Sequence, residues 1–177
     1  EIAADSWSRS PIDRFILAQM EQQGLTPPDL ANAIQRLRRL SYSLTGLPPS
    51  QSHVQQHQQT LSQEAYSRLA DDLLATVQYG ERWGRHWLDV ARYADSNGAD
   101  ENKPYPLAWH YRNYVIDAFN RDTPFNDFIV EQLAGDLLPT PADLETGNRQ
   151  VAATTFLALG IKIDAEQDPE KKRADII

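Results

Sequence analysis

Cysteine is absent from the 177 residues. Its absence excludes thiol catalysis, thiolate-held zinc, disulfide stapling and covalent haem attachment within them. Basic residues are also scarce, with 17 Lys and Arg against 25 Asp and Glu and a formal net charge of -8. That is the wrong sign for gripping a phosphate backbone, so no nucleic-acid partner is expected. No apolar run approaches the roughly 20 residues that span a bilayer, so no membrane insertion is expected. The stretch Glu1–Asp5 has neither the basic start nor the apolar segment of a signal peptide. Alternating strand patterns bounded by hairpin turns are missing too, Ile161-Lys162-Ile163 being the one short candidate. No self-similarity of roughly 20–50 residues marks a solenoid.

What is there reads as helix. Hydrophobic residues make up 41% and charged residues 24% of the chain, the balance of one soluble globular domain. At this length folding buries roughly 70% of the unfolded surface, so no metal is needed to complete a core. Ser10-Pro11-Ile12-Asp13 gives an N-cap, a first-position proline and a first-turn acid. Ile12, Phe15, Ile16 and Met20 then recur at helical spacing as a core stripe, with Gly24 as the stop. A second helix is predicted from about Asp29 or Leu30 to Gly46, with Leu30, Ile34, Leu37 and Leu40 inward and Arg36, Arg38 and Arg39 outward. Ser50 to Gln59 supports only a short, superficial helix. Behind a Ser62 cap, Tyr66, Leu69, Ala70, Leu73, Leu74 and Val77 give the clearest helical periodicity in the chain.

Further helices are predicted over Glu81 to Ala94, Leu107 to Asn120, Phe125 to Leu138 and Asn148 to Leu159. Ser96-Asn97-Gly98 breaks the first, and a loop spans Asp95 to Pro106. Thr123 caps the third with Pro124 at its first position, and Gly160 stops the last. The sum is an all-α, single-domain, irregular bundle of about seven or eight helices, spanning 10–160. Residues 161–177 read as the start of a following segment that is cut at Ile176-Ile177.

The densest polar and aromatic run is Glu81 to Asp95. Helical geometry puts Tyr79, Trp83, Trp87, Val90 and Ala94 on a core face, with Arg82, His86, Asp89 and Tyr93 as an adjoining stripe. As a site, His86 would be a general acid or base, Asp89 would fix its tautomer, and Asp95 would add a carboxylate at the helix exit. As structure, the stripe would be partly buried beside Trp83 and Trp87 and reach Arg112 and Asp136. The structural reading is preferred, because no nucleophile or metal set accompanies the pair. No metal site is expected: Asp95 to Asp100 fails the EF-hand spacing, and only irregular ligation by Asp95, Asp100 and Glu101 stays open. Trp109, Tyr105 and Tyr111 with the same acids could line a saccharide cleft, but Tyr111, Tyr114, Val115, Ala118 and Phe119 also form a core face.

Several motifs together resemble one family: Leu44-Thr45-Gly46-Leu47-Pro48-Pro49, Tyr79-Gly80-Glu81-Arg82-Trp83, His86-Trp87-Leu88-Asp89-Val90-Ala91-Arg92-Tyr93-Ala94-Asp95, Trp109-His110-Tyr111-Arg112-Asn113-Tyr114-Val115 and Glu131-Gln132-Leu133-Ala134-Gly135-Asp136-Leu137-Leu138. They look like the planctomycete cytochrome-c-associated domain of unknown function, over about Ser10 to Gly160. The resemblance implies an extracytoplasmic setting in a large protein, with neighbouring domains of the same polypeptide as partners. It also implies a Cys-x-x-Cys-His segment beyond this chain, and so a c-type haem in the longer protein while none is bound here. Two positions depart from the family pattern. Ala99 stands where an aromatic residue is common, and Gln51-Ser52-His53 replaces an acidic helix opening. The resemblance carries no catalytic residue.

Two function classes follow. One is a helical binding or scaffolding module in a haem-associated protein. The other is part of an enzyme acting on carbohydrate or another complex organic substrate, with His86, Asp89 and Asp95 as acids and bases and Arg82, Tyr93, Trp109, Arg112 and Asp136 as ligand contacts.

Overall fold

Local capping chemistry sets where the first helices begin. In the computed structural model, which describes residues 7–97, 102–139 and 143–159, Ser10 and Asp13 form a reciprocal capping box that opens α1, Pro11–Gln22. Asn32 and Gln35 do the same for α2, Ala33–Thr45. The second start is later than Asp29 or Leu30 because Asn32 can accept from the third helical N–H. Gly46 ends α2 in the left-handed region at φ 72, where glycine carries no Cβ penalty. The short, superficial helix after the double proline is α3, Gln51–His57, which buries no residue. Ser62 caps α4, Gln63–Leu74, as its sequence predicts. The remaining helices are α5, Val77–Val90, α6, Trp109–Asn120, α7, Phe125–Ala134, and α8, Leu144–Ala153. Short 3-10 helices follow at Gly135–Leu137 and Thr154–Ala158. The fold is all-α, and the described residues contain no strand beyond an isolated bridge between Ser96 and Pro104.

Two apolar clusters form the core. Leu37, Leu40, Leu61, Leu69 and Leu73 join α2 to α4, with Val54 of α3 packed against them. Tyr111, Tyr114, Val115, Ala118, Phe128 and Ala153 join α6, α7 and α8, with Trp87 and Leu88 of α5 alongside. Helix α5 packs against both α2 and α6 and so links the clusters. Each fully buried Leu or Val contributes roughly 1.5–3 kcal/mol of transfer free energy.

Several expected core positions are exposed. On α1, Ile12, Phe15 and Ile16 face outward and Leu17 is the buried residue, so the helix meets the body along a line one position from the expected stripe. Leu30 precedes α2 and is exposed, and Leu74 and Val77 lie outside the α4 core face. Thr123 is not a cap: α7 follows Pro124 without a side-chain cap bond. It ends early, at Gly135, where a Cβ would collide with the Gln150 carbonyl of α8. Asp143 caps α8 ahead of the expected start, accepting from the Thr146 N–H at 2.7 Å. Gly160 and residues 161–177 lie outside the described residues.

The largest correction concerns α5. Its buried positions are Gly80 and Gly84, while Val90 is 77% exposed and Trp83 stands at the rim. A Cβ on Gly80 would lie 2.5 Å from the Asn120 amide and from the Ile116 carbonyl. The close α5–α6 approach therefore requires the glycine, which lies one residue before the start predicted for this helix. Asn120 uses that gap: its Oδ1 accepts from the Gly80 N–H at 2.8 Å and its Nδ2 donates to the Val77 carbonyl at 3.3 Å. Thr76 makes no side-chain cap bond, so the remote amide serves the first turn in its place.

Candidate functional site

The polar stripe of α5 does not sink into the core. Arg82, His86 and Asp89 are exposed, against the expectation that they tie helices together. Arg82 lies along the end of α2, its Cδ 3.1 Å from where a Cβ on Gly46 would sit, a place where a cation complements the negative end of the helix dipole. The His86 ring packs beside Trp83 at 5.3 Å between centroids. Asp89 makes no side-chain hydrogen bond or ion pair among the described residues. Neither a nucleophile nor a group of three metal-ligating side chains converges on His86 among the described residues. His86 and Asp89 are thus surface groups with no hydrogen bond between them.

Tyr93, Asp95 and Arg112 do come together. Arg92 takes φ 54 just past α5 and turns the chain so that the Tyr93 hydroxyl donates to Asp95 Oδ1 at 2.5 Å. Arg112 Nη1 of α6 lies 3.4 Å from Asp95 Oδ2. Burial, reinforced by the neighbouring Asp95 carboxylate, pushes the Tyr93 phenol up to about 12. The Tyr105 N–H donates to the Asp95 carbonyl at 2.7 Å, and buried Asn97 exchanges hydrogen bonds with the Lys103 backbone. The cluster clasps Asp95 and Asn97 against Lys103 and Tyr105. Asp100 and Glu101, the other acids named for a cation or sugar, lie outside the described residues. Asp136 is exposed on the 3-10 helix after α7 and is not a partner of the α5 stripe.

The buried polar network lies elsewhere. Trp87 Nε1 donates to Tyr111 Oη at 2.9 Å and to Gln132 Oε1 at 3.1 Å, while the Tyr111 hydroxyl donates to the same Oε1 at 2.5 Å. Gln132 Nε2 completes the set by donating to the Phe128 carbonyl at 3.0 Å. Next to it the Tyr114 hydroxyl donates to Glu131 Oε2 at 3.0 Å, and Arg149 approaches Glu131 at 3.6 Å. Burial pushes the Tyr111 phenol up to about 12, and burial with the Glu131 charge raises that of Tyr114 further. Apart from Arg149 Nε, which is buried without a hydrogen-bond partner, these groups satisfy one another, which is the pattern of a structural network. The available sequence signal was an amide, Gln132, four residues after Phe128 on an otherwise apolar helix face.

Trp109 lies apart from Tyr111, which is buried. Its ring stacks on His110 at 3.6 Å and lines a cleft of about 160 Å³ between α6 and α8, with Asn113, Asp117, Glu145 and Asn148. Arg121 crosses this cleft to pair with Glu145 at 3.3 Å. A larger cleft of about 620 Å³ beside α1 and α2 takes Arg36 and Arg39 of the arginine cluster together with Asp13 and Asp29. Arg36 stacks over Tyr66 and Arg38 over Tyr42, so these cations are largely engaged by their own fold. No described helix is long and apolar enough to cross a membrane.

Comparison with curated proteins and with solved structures finds no match. A family model does match, over residues 11–177. It spans the α5 run, the loop clasp and the α6–α8 core just described, and its family is one of unknown function. The chain belongs to the PSCyt2 family, described as protein of unknown function (DUF1549).

Proposed function

We propose that this chain is a helical binding and scaffolding module that docks against neighbouring domains of its own polypeptide. The observation that carries the reading is a set of large apolar side chains left on the outer faces of the C-terminal helices. Val130 and Leu133 lie one turn apart on α7 and Leu137 on the 3-10 helix that follows, and all are exposed. Leu144 and Val151, seven residues apart on α8, are exposed as well. Apolar faces of this kind mark interaction surfaces. The resemblance to planctomycete cytochrome-c-associated proteins supports an extracytoplasmic, haem-associated setting, with the c-type haem held outside this chain.

Calorimetry of the longer polypeptide tests the reading. Leu133→Asp with Leu137→Asp should leave the melting of this chain alone nearly unchanged, since both positions are already exposed. It should lower the transition of the same domain within the longer polypeptide. An equal response in both contexts would refute docking through this face.

A second reading, part of an enzyme acting on carbohydrate, draws support from the Trp109 cleft. An exposed indole beside Asn113, Asp117, Glu145 and Asn148 offers a sugar both a stacking face and planar hydrogen-bonding groups. A glycan array should then show binding that Trp109→Ala abolishes, with melting unchanged. Binding that survives the substitution would place any sugar elsewhere.

A further inference from the structure

Between the start of α5, the end of α6 and the start of α7 lies a pocket of about 190 Å³ whose walls are mostly aromatic. Tyr79, Trp87, Phe119, Phe125 and Phe128 line it, with Asp122 and Thr123 at the α6–α7 turn. The rings stand at steep angles to one another. Trp87 meets Phe125 at 76° and Phe128 at 73°, and Phe119 meets Phe128 at 73°. Such a corner presents ring surfaces in several directions around one volume. The lining includes one carboxylate, Asp122, and no Lys, Arg or His. Phe125 is 68% exposed, although solvent exposure of a phenyl ring at a pocket mouth gains nothing for folding.

These features fix the chemistry of an occupant. An aromatic wall attracts cations through the ring quadrupole, and it favours a weakly hydrated cation whose methyl groups also bury apolar surface. A carboxylate at the rim adds attraction for positive charge and opposes an anion. The volume is below the roughly 300–1,000 Å³ of drug-sized ligand sites, which restricts the occupant to a small headgroup. We propose that this pocket binds a small free quaternary ammonium compound, its methylated nitrogen enclosed by Trp87, Phe125 and Phe128 and its charge facing Asp122. The site is separate from the apolar face of the docking reading and does not depend on it.

Titration calorimetry of the chain with choline chloride, against 3,3-dimethylbutan-1-ol as the uncharged isostere, separates cation recognition from simple shape. Choline should bind at least about fivefold more tightly than the isostere, the scale expected for desolvated cation–π contacts. Phe125→Ala, at a position 68% exposed, should abolish the difference. Asp122 takes φ 51, a conformation that Asn also tolerates, so Asp122→Asn should weaken choline about three- to tenfold without disturbing the turn. Glycine betaine, whose carboxylate opposes Asp122, should bind more weakly than choline. Equal binding of choline and its isostere, no choline binding at millimolar concentration, or a Phe125→Ala protein that binds choline as before would overturn the proposal. So would retention on phosphatidylcholine vesicles without binding of free choline, since the ligand would then be a membrane surface.

Discussion

The indole N–H of Trp87 and the side-chain oxygen of Gln132 meet at 3.1 Å, 45 residues apart in sequence. The contact joins α5 to α7 through the floor of the larger core cluster, and Tyr111 shares the same acceptor. Gln132→Leu keeps the approximate volume but takes the acceptor from the buried Tyr111 hydroxyl and leaves Trp87 Nε1 with Tyr111 Oη alone. We expect it to lower stability by about 1–3 kcal/mol in chemical denaturation. Stability within a few tenths of a kcal/mol of the unsubstituted chain would mean that water replaces the amide.

Two glycines on one face of α5 should behave differently. At Gly80 an added Cβ meets the Asn120 amide and the Ile116 carbonyl at 2.5 Å, so backbone must move. At Gly84 the nearest atom is a Val115 methyl at 3.4 Å, an ordinary contact. Gly80→Ala should cost about 1–3 kcal/mol or more through overpacking. Gly84→Ala should change stability by less than about 1 kcal/mol, because helix propensity offsets the tighter contact. Thermal melts of the two variants compare them directly, and equal losses would contradict the packing described for α5 and α6.

This pair also explains what could be read from the sequence and what could not. Capped, periodic segments such as Ser62 to Leu74 and the Tyr111, Tyr114, Val115, Ala118 face declare themselves, because local chemistry and tertiary packing agree there. Around Gly80 they conflict. The pattern starts this helix at Glu81, yet it begins at Val77, about one turn earlier, and its first turn is held by Asn120, a residue 40 positions from Gly80 that no local pattern reveals. The buried face of α5 runs through Gly80 and Gly84 and not through Trp83 and Val90, and Arg82, His86 and Asp89 are in solvent. Of the named site residues, Tyr93 and Arg112 meet at Asp95. The Gln132 network escaped notice because its partners are scattered over three helices.

Asp89→Ala and His86→Ala should each leave stability within about 0.5 kcal/mol, as substitutions at exposed positions usually do. A loss above about 1 kcal/mol on chemical denaturation of Asp89→Ala would restore the buried-stripe reading.

Tyrosine ionisation sets the alkaline limit of the fold. The phenols of Tyr93 and Tyr111 are each pushed up to about 12 from the ordinary value of 10.0, and Tyr114 is raised further. In the unfolded chain these groups lose protons near pH 10, so between pH 10 and 12 the unfolded state binds fewer protons and gains relative to the fold. The stabilisation is complete below pH 10 and is lost as pH rises through about 12. Absorbance titration near 295 nm should show that some of the seven tyrosines ionise late, together with loss of helical circular dichroism. One uniform step near pH 10 with the helices intact would contradict the burial of these phenols.

The docking account is tested most directly at Leu133, an exposed position on α7 in a chain without cysteine. Leu133→Cys can be labelled with a maleimide in this chain alone and in the longer polypeptide, with the modified peptide quantified by mass spectrometry. The account predicts rapid labelling in the isolated chain and labelling at least about tenfold slower in the longer polypeptide, where a neighbouring domain covers the face. Equal rates in the two contexts would contradict it.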